Sequence, residues 1–594
     1  MSDSVGPGGQ LSRRQVLRGT AAGATLALTS GMADPGVAAA ATPVIGEYDV
    51  VVVGAGAAGM TAALTAAHRG LSCVVVEKAP TFGGSAARSG AGIWVPCNEV
   101  LLAAGVPDTP RKATSYLSAV VGPAVPAARQ QAFLGNGPAM ISFVMNHSPL
   151  RFRWMDGYSD YYPELPGGMP GGRSIEPDQL DGNVLGAELA RLNPPYLATP
   201  AGMVVFSADY KWLALSSVNA RGAAVAAECL ARGTAAAFRG EKPLTMGQSL
   251  AGGLRAGLLA ANVPVWLNTP LLDLVLEGGR TTGVLVSRNG TTGVLKARRG
   301  VIVGSGGFEH NAAMRDQYHQ QPTGTQWTVG ARENTGDGIL AGERAGAALD
   351  LMDDAWWGPA IPLPGAPYFC LAERTLPGGL IVDAGGERFV NEAAPYGDVV
   401  HVMYDRDPTD PCIPAWLIVD QHYRNRYLFK DVVPTFPLPR DWYTSGAVHR
   451  ASTVDGLATA IGMPSRTLRA TVTRFNDLAR TGTDTDFARG RSAYDHYYTD
   501  PAIRPNSCLA PLWLPPFYAF KIVPGDLGTK GGMRTDARAR VLRQDGTAIP
   551  GLYAAGNASA AVMGRGYAGA GSTIGPAMTF GFVAANDIAA TSPT

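Results

Sequence analysis

The sequence predicts an α/β protein, a parallel sheet flanked by helices with a second unit of α+β character inserted into it. Three observations carry this. An apolar run at 50–53 leads into a glycine-spaced turn, Gly54-Ala-Gly56-Ala57-Ala58-Gly59, and then into an Ala-rich helical pattern over 60–69. Further apolar stretches at 73–76, 300–303 and 551–555 read as strands of that same kind, bounded by glycine or by an acid. Between them, from about 356 to 523, composition shifts toward proline, aromatic and charged residues.

The first stretch has a mechanism behind it. Gly54 permits a tight turn, Gly56 lets the backbone approach a pyrophosphate, and Gly59 lets helix and strand pack closely. The helix start offers free N–H groups and a positive dipole end to phosphates. The second strand ends on Glu77, placed to accept the two ribose hydroxyls of an adenosine. A glycine pattern alone is weak. With strand, turn, helix, strand and acid in order, it predicts a Rossmann-like dinucleotide site.

Length and charge bound the rest. At 594 residues the chain exceeds what one hydrophobic core organises. We expect a discontinuous dinucleotide-binding domain over 46–355 and 524–590, and a substrate-binding catalytic domain over 356–523. The net charge of +1, from 49 basic and 48 acidic residues, offers no field for nucleic acid. The six cysteines show no CxxC spacing and predict neither a zinc site nor a disulfide frame, so no metal is expected. No apolar run reaches the roughly 20 residues of a membrane-spanning helix.

Residues 1–41 read separately. Ser12-Arg13-Arg14-Gln15-Val16-Leu17 is a twin-arginine pattern, an Ala/Gly/Leu stretch follows, and Val37-Ala-Ala-Ala-Ala41 suits signal peptidase. This predicts a Tat-type signal and export to the cell envelope or beyond. The alternative is an Ala-rich leader with a chance arginine pair.

Along the mature chain, residues 82–94 form a loop of small residues, against which something large must lie. Residues 109–147 read as helices. The aromatic stretch 154–164 follows neither helical nor strand periodicity, and is core filler or the wall of an apolar pocket. Residues 203–261 are mostly helical. Residues 264–267, 271–276 and 283–287 read as strands of a small sheet. At 304–309 a second glycine run lacks its third glycine, since Glu309 stands there, which argues against a second dinucleotide domain. Asn334-Thr-Gly-Asp337-Gly338 opens a further helix. Pro576 suits the first turn of a last helix, whose positive end would face the cofactor.

Together these pieces resemble one family. The first glycine turn with Glu77, the 83–90 loop, the 334–338 turn and Gly551-Leu-Tyr-Ala-Ala-Gly-Asn557 resemble the fumarate reductase-like flavoproteins. Gly157-Tyr-Ser-Asp-Tyr-Tyr-Pro-Glu164, Asn391-Glu-Ala-Ala-Pro-Tyr396, Asp526-Leu-Gly-Thr-Lys-Gly-Gly532 and Tyr567-Ala-Gly-Ala-Gly571 resemble the 3-ketosteroid Δ1-dehydrogenases. The resemblance covers about 46–590. It implies non-covalent FAD, since the 83–90 loop has no histidine for a covalent link. The implied cradle is Gly54, Gly56, Ala57, Ala58, Gly59, Glu77, Lys78, Gly84, Ser85, Ser89, Gly90, Gly306, Asp337, Gly556, Asn557 and Ile574. It implies a 3-ketosteroid substrate, a quinone or other external electron acceptor, and the family's cytoplasmic or membrane-associated location as the alternative to export, with peripheral membrane contact. Four catalytic positions carry over. Tyr396 takes the proton from C2, Tyr161 supports it, and Tyr567 with the Gly571 N–H bonds the C3 oxygen, while hydride leaves C1 for flavin N5. Ala568 and Ala570 stand where the family has prolines, which predicts a looser loop.

The chemistry is consistent with those groups. A ketone acidifies its neighbouring C–H when donors hold its oxygen as enolate character builds. Ionising a free phenol at neutral pH costs roughly 4 kcal/mol, so Tyr396 is expected in a loop with a lowered pKa, aided by a hydrogen bond from Tyr161. The alternatives are a 3-ketosteroid Δ4-(5α)-dehydrogenase and a fumarate reductase-like enzyme. The latter needs arginine and histidine around two carboxylates, and the tyrosine-rich segments suit a large neutral ligand better.

Overall fold

A computed structural model describes residues 42–200 and 202–591. The leader expected over 1–41 lies outside the described residues. Strand β1 (Val44–Val53) leads into helix α1 (Ala57–His68) and strand β2 (Cys73–Val76). Helix α2 (Gly84–Arg88) occupies what the sequence suggested was a loop. Gly83 turns the chain at φ 106°, and the Ser-Ala-Ala run after it then closes one helical turn.

Strands β3 (Val265–Trp266), β4 (Leu271–Glu277), β5 (Arg280–Arg288) and β6 (Thr291–Val303) follow. The second layered region comprises β7 (Ala355–Ile361), β8 (Tyr368–Phe369), β9 (Gly379–Val382), helix α3 (Tyr396–Arg406), β10 (Ala415–Asp420), β11 (Val448–Ala451) and β12 (Phe517–Thr529). The chain closes with β13 (Arg540–Leu542), β14 (Ala548–Ala554) and helix α4 (Ile574–Ala590).

The first sheet has eight strands in the order β13-β14-β6-β1-β2-β3, with β5 paired to β6 and β4 to β5. β14, β6, β1, β2 and β3 run parallel. Both faces are covered, as parallel sheets require: Val50 and Val52 enter one core, Val51 and Val53 the other. The three strands expected as a separate small sheet therefore join the main one. β6 is long enough to pair antiparallel with β5 at its start and parallel with β1 throughout, and β3 extends the parallel edge.

The register fixes where a ligand can sit. Val53 pairs with Val76 and with Val303, and Val303 pairs with Ala554, so four parallel strands end level. The turns that leave them, at Gly54, Glu77, Gly304 and Gly556, gather at one rim, where open α/β sheets take their ligands. α1 and α4 pack so closely behind it that a Cβ on Gly581 would lie 2.4 Å from the Ala58 carbonyl oxygen.

The second sheet has six strands, β8-β7-β12-β10-β9 with β11 beside β12, all antiparallel. Its strands alternate between two cores. Leu417 and Val419 face one, Trp416 and Ile418 the other. β12 runs unbroken through position 523, so the expected second boundary falls inside a strand. From residue 43 on, the chain groups as one compact unit.

Candidate active site

One cavity of about 640 Å³ runs from the rim of the parallel sheet to the second sheet. Its first half is built of backbone. Gly54 takes φ 101°, and its N–H bonds the Val76 carbonyl at 2.8 Å, tying the turn to the neighbouring strand. A Cβ on Gly56 would meet no protein atom within 4 Å, so the space beside it is left for something other than the chain. Gly59 is different. Its added Cβ would stand 1.9 Å from the Gly54 oxygen, and it does not line the cavity. Of the sixteen expected cradle residues it alone stands behind the wall, fastening helix to turn; the other fifteen line the cavity.

Glu77 Oε2 accepts from the Ala55 N–H at 2.7 Å and Oε1 from the Ala79 N–H at 2.9 Å. Burial raises its pKa against these two donors. A carboxylate has about four lone-pair sites, so two remain for ribose hydroxyls. Lys78 Nζ lies 2.6 Å from Asp337 and 2.6 Å from Thr335 Oγ1. Ser85 Oγ accepts from the Ala331 N–H at 2.9 Å and from Asn334 Nδ2 at 3.1 Å, fixing α2 against the 331–334 turn. Asn334 also donates to Glu309 Oε1 at 2.6 Å. Glu309, noted in the sequence only as a missing glycine, is fully buried, and burial pushes its pKa up to about 8. Asn557 Oδ1 accepts from Trp356 Nε1 at 3.1 Å. Ile574 opens α4, so the helix's positive end faces the cavity. A rim of strand ends, an open cradle at Gly56, two helix N-termini and a carboxylate with spare lone pairs fit a flavin dinucleotide.

The second half is built of phenols. Tyr161, Tyr396 and Tyr567 come from three distant segments and are all at least 95% buried. The Tyr161 hydroxyl donates to the Tyr396 hydroxyl at 3.2 Å. Tyr161 stacks on Tyr567 with ring centres 5.0 Å apart, and Tyr396 meets both rings edge-on, at 5.4 and 5.1 Å. Tyr396 is not in a loop. It is the first residue of α3, with Pro395 as N-cap. Its pKa is not lowered either. Burial drives it well above 10, neighbouring phenols add to this, and the Tyr161 hydroxyl opposes it only in part. The Tyr567 phenol is also pushed up by burial, and the nearby Tyr396 and Thr573 hydroxyls and the Gly571 backbone oppose this in part. Thr573 was not singled out in the sequence.

Gly571 takes φ 97°, and a Cβ there would lie 2.2 Å from the Gly92 backbone. The 567–571 loop lacks prolines but is fastened otherwise. The Ala568 carbonyl accepts from the Tyr116 hydroxyl at 2.6 Å and from the Tyr161 N–H at 3.1 Å. Asp398 and His401, the other proton-accepting groups near Tyr396 in sequence, are engaged elsewhere. Asp398 accepts from the Tyr162 hydroxyl at 2.9 Å, and His401 Nε2 lies 2.9 Å from Asp354 Oδ1. Among the described residues no histidine lines the cavity, and no cluster of His, Cys, Asp or Glu could hold a metal ion.

Residues 49–574 match the FAD binding domain family. The chain is 54% identical, over 92% of its length and 98% of the relative's, to the 3-oxosteroid 1-dehydrogenase of Mycolicibacterium smegmatis. It is 35% identical to the 4-oxocyclohexanecarboxylate 2-dehydrogenase of Sinomonas cyclohexanicum, over 91% of this chain and 93% of that one. Among solved structures, the 3-ketosteroid delta1-dehydrogenase of Sterolibacterium denitrificans in complex with 1,4-androstadiene-3,17-dione superposes with a TM-score of 0.88 at 40% identity, covering 92% of this chain and all of that one.

Proposed function

The chain belongs to the 3-oxosteroid 1-dehydrogenases of the FAD-binding flavoprotein family, and from this premise we propose that it introduces the C1–C2 double bond into 3-ketosteroids through its three buried phenols. The observation that carries the reading is the contact of the Tyr161 and Tyr396 hydroxyls at 3.2 Å, with Tyr567 stacked beside them, in the cavity that continues into the dinucleotide cradle.

The Tyr567 hydroxyl and the Gly571 N–H hold the C3 oxygen. Charge growing on that oxygen makes the C2 hydrogen acidic, and two neutral donors stabilise it without a buried cation. Tyr396 accepts the C2 proton as phenolate. Tyr161, donating to that phenolate, lowers the cost of forming it. FAD, held by Glu77, the 54–58 turn and the α4 N-terminus, supplies the acceptor for the hydride. The ring walls of Tyr161, Phe369 and Tyr396 exclude water from the reacting carbons.

The apolar walls favour a large neutral ring system over a dicarboxylate, for which a fumarate reductase-like site would need cationic groups around both ends. The relative from Sinomonas cyclohexanicum is named for a 4-oxocyclohexanecarboxylate, whose ring ketone is shared with the steroid A ring. Mixing the anaerobic protein with androst-4-ene-3,17-dione should bleach its flavin absorbance near 450 nm, and succinate should not. Bleaching by succinate alone would overturn the reading. With no histidine in 83–90 to form a covalent link, acid precipitation should release the flavin. We further propose a quinone-type external acceptor, a place in steroid degradation, and export directed by Arg13 and Arg14. Among the described residues no helix is long and apolar enough to cross a membrane; we propose peripheral contact as the mode of any membrane association. Lysine at positions 13 and 14 should retain the protein in the cytoplasm, and an unchanged distribution would refute export.

A further inference from the structure

A second cavity, also of about 640 Å³, shares no lining residue with the first. It lies in the second layered region, among the helices Gln421–Arg426 and Arg440–Thr444 and the strands β11 and β12. Arg424, Arg440 and Arg450 line it, and no aspartate or glutamate does. None of the three makes an ion pair with a described residue. Nearby acids are engaged otherwise. Asp420 accepts from the Tyr423, Trp513 and Leu514 N–H groups, Asp500 pairs with Arg426 at 2.5 Å, and Asp431 with Lys430 at 3.1 Å. Asp441, beside Arg440 in sequence, is exposed and does not pair with it.

Arg424 forms the floor. It is 2% exposed, and its guanidinium donates only to the Tyr427 carbonyl, from Nη1 at 3.4 Å. Glu373 is near enough to act on it but makes no ion pair with it. Other arginines as deeply buried are matched by carboxylates: Arg173 by Asp108 at 3.0 Å, Arg315 by Asp526 at 2.7 Å and Arg489 by Glu392 at 2.9 Å. A buried charge without such a partner is costly, and at Arg424 the open side is this cavity. Arg440 and Arg450 are exposed at its wall, so their guanidinium groups can meet a ligand directly.

The charges converge on flat rings. Burial raises the Tyr443 and Tyr518 phenols, and Arg450 and Arg424 oppose this at both. Arg450 stands opposite Tyr518 in the β11–β12 register, with its guanidinium carbon 5.8 Å from the ring centre. His449 also lines the cavity. Burial and nearby Lys521 lower its pKa, so at pH 7 it adds a ring and no charge. Phe436 is 64% exposed at the rim. Its loop is stiffened by Pro434, Pro437 and Pro439. Thr435 in that loop takes φ 68°, and its N–H bonds the Arg424 carbonyl at 3.2 Å, which fastens the rim to the floor residue.

We propose that this cavity binds a nucleotide, with its phosphates on Arg440 and Arg450 above Arg424 and its base against the Tyr443, Tyr518 and Phe436 rings. The guanidinium fork matches phosphate oxygens, and three unopposed cations suit a diphosphate better than a single carboxylate. Bases stack on aromatic faces whatever their sequence identity. The volume is that of a pocket for an organic ligand, far more than a bare anion fills. The site is separate from the dinucleotide cradle, whose adenosine end belongs to Glu77.

The test uses the FAD-loaded full chain, so that the cradle is already filled, and titrates it calorimetrically with ADP at low ionic strength. Adenosine and pyrophosphate serve as the two halves of the ligand. ADP should bind about tenfold or more tightly than either half, since base stacking and a hydrogen bond to a charged group are each worth about that factor. Arg440→Ala and Arg450→Ala, both at exposed positions, should each raise the Kd for ADP about tenfold with an unchanged melting temperature. Arg424→Met should weaken ADP and pyrophosphate alike; if it fails to fold, the two exposed positions decide. Pyrophosphate binding as tightly as ADP would leave the rings without a role and overturn the nucleotide. Adenosine binding as tightly as ADP would do the same for the arginines. ADP binding unaffected by either alanine would place it elsewhere on the chain. No ADP binding at millimolar concentration, with capture by phosphatidylglycerol vesicles that both alanines abolish, would assign the arginines to a lipid surface and overturn the proposal.

Discussion

The two halves of the cavity are held in shape by different means. The dinucleotide cradle is a backbone structure. Most of its wall comes from N–H groups, strand ends, two helix N-termini and small residues, with Glu77 as the acid among them. The phenol pocket is a side-chain structure, and buried charge holds it from behind. Glu392, four residues before Tyr396, is fully buried between Arg388 at 2.8 Å and Arg489 at 2.9 Å, and Arg388 also pairs with Asp484 at 2.7 Å. Arg374 reaches the carbonyls of Glu392 and Ala394. Arg489 bonds the carbonyls of Thr375, Leu376 and Gly379 as well. The segment that delivers the Tyr396 ring is therefore clamped through both its side chains and its backbone. A cradle of backbone tolerates most side-chain changes but almost none at its glycines. A pocket of side chains depends on single atoms.

That contrast gives its largest effect at Tyr396. Tyr396→Phe keeps the ring contacts with Tyr161, Tyr567 and Phe369, so fold and flavin content should hold. Loss of a general base costs typically about 10²–10⁴-fold, and reductive bleaching by steroid should fall by that amount. Bleaching at the wild-type rate would remove this tyrosine from the mechanism and put Tyr161 next. The pH profile sharpens the point. Burial holds the Tyr396 phenol above 10, and only the phenolate accepts a proton, so the wild-type rate should climb from pH 7 to 10 without a plateau. A plateau below pH 8 would mean a different base.

The next effect is on stability. Glu392→Gln leaves Arg388 and Arg489 without their shared carboxylate, and removing one partner of a buried pair costs about 3–5 kcal/mol. Chemical denaturation should show it. Burial alone would raise the Glu392 pKa, but the two arginines overcome this and hold it below its ordinary value of 4.5. A depressed carboxylate stabilises the fold above its unfolded pKa, and that contribution is lost as pH falls through the folded one. The wild-type advantage over the glutamine variant should thus be full at pH 7 and shrink below pH 4.5. An advantage independent of pH would show that packing, not charge, holds the segment.

The same contrast explains what the sequence revealed. The cradle was legible because its determinants are local. Three glycines, an acid at the next strand end and a helix pattern lie within thirty residues, and each has one steric or electrostatic reason to be there. The phenol pocket was not legible from spacing. Tyr161 and Tyr396 lie 235 positions apart, no periodicity links them, and they entered only through a family resemblance. Burial was equally hidden. The lowered pKa expected at Tyr396 rested on a hydrogen bond from Tyr161, which is present, but burial among three aromatic rings outweighs it.

The smallest effect separates fold from cradle most cleanly. Gly56 and Gly59 belong to one motif and lie on one helical turn, yet their added methyls meet different things. At Gly59 the methyl would lie 1.9 Å from the Gly54 oxygen, a clash inside the protein. At Gly56 it would touch no protein atom within 4 Å. Gly56 has ordinary extended backbone as the α1 N-cap, φ −85° and ψ −174°, so alanine is not strained there. Gly56→Ala should therefore fold with wild-type stability as apoprotein, and only its flavin should suffer, through the approach of backbone to pyrophosphate that the missing side chain allows. Titrating apoprotein with FAD should give a Kd raised by about tenfold or more, equivalent to roughly 1.4 kcal/mol. The melting temperature without FAD should match wild type. A destabilised apoprotein would show that the space beside Gly56 serves the chain; unchanged FAD affinity would show that the pyrophosphate lies elsewhere along the rim.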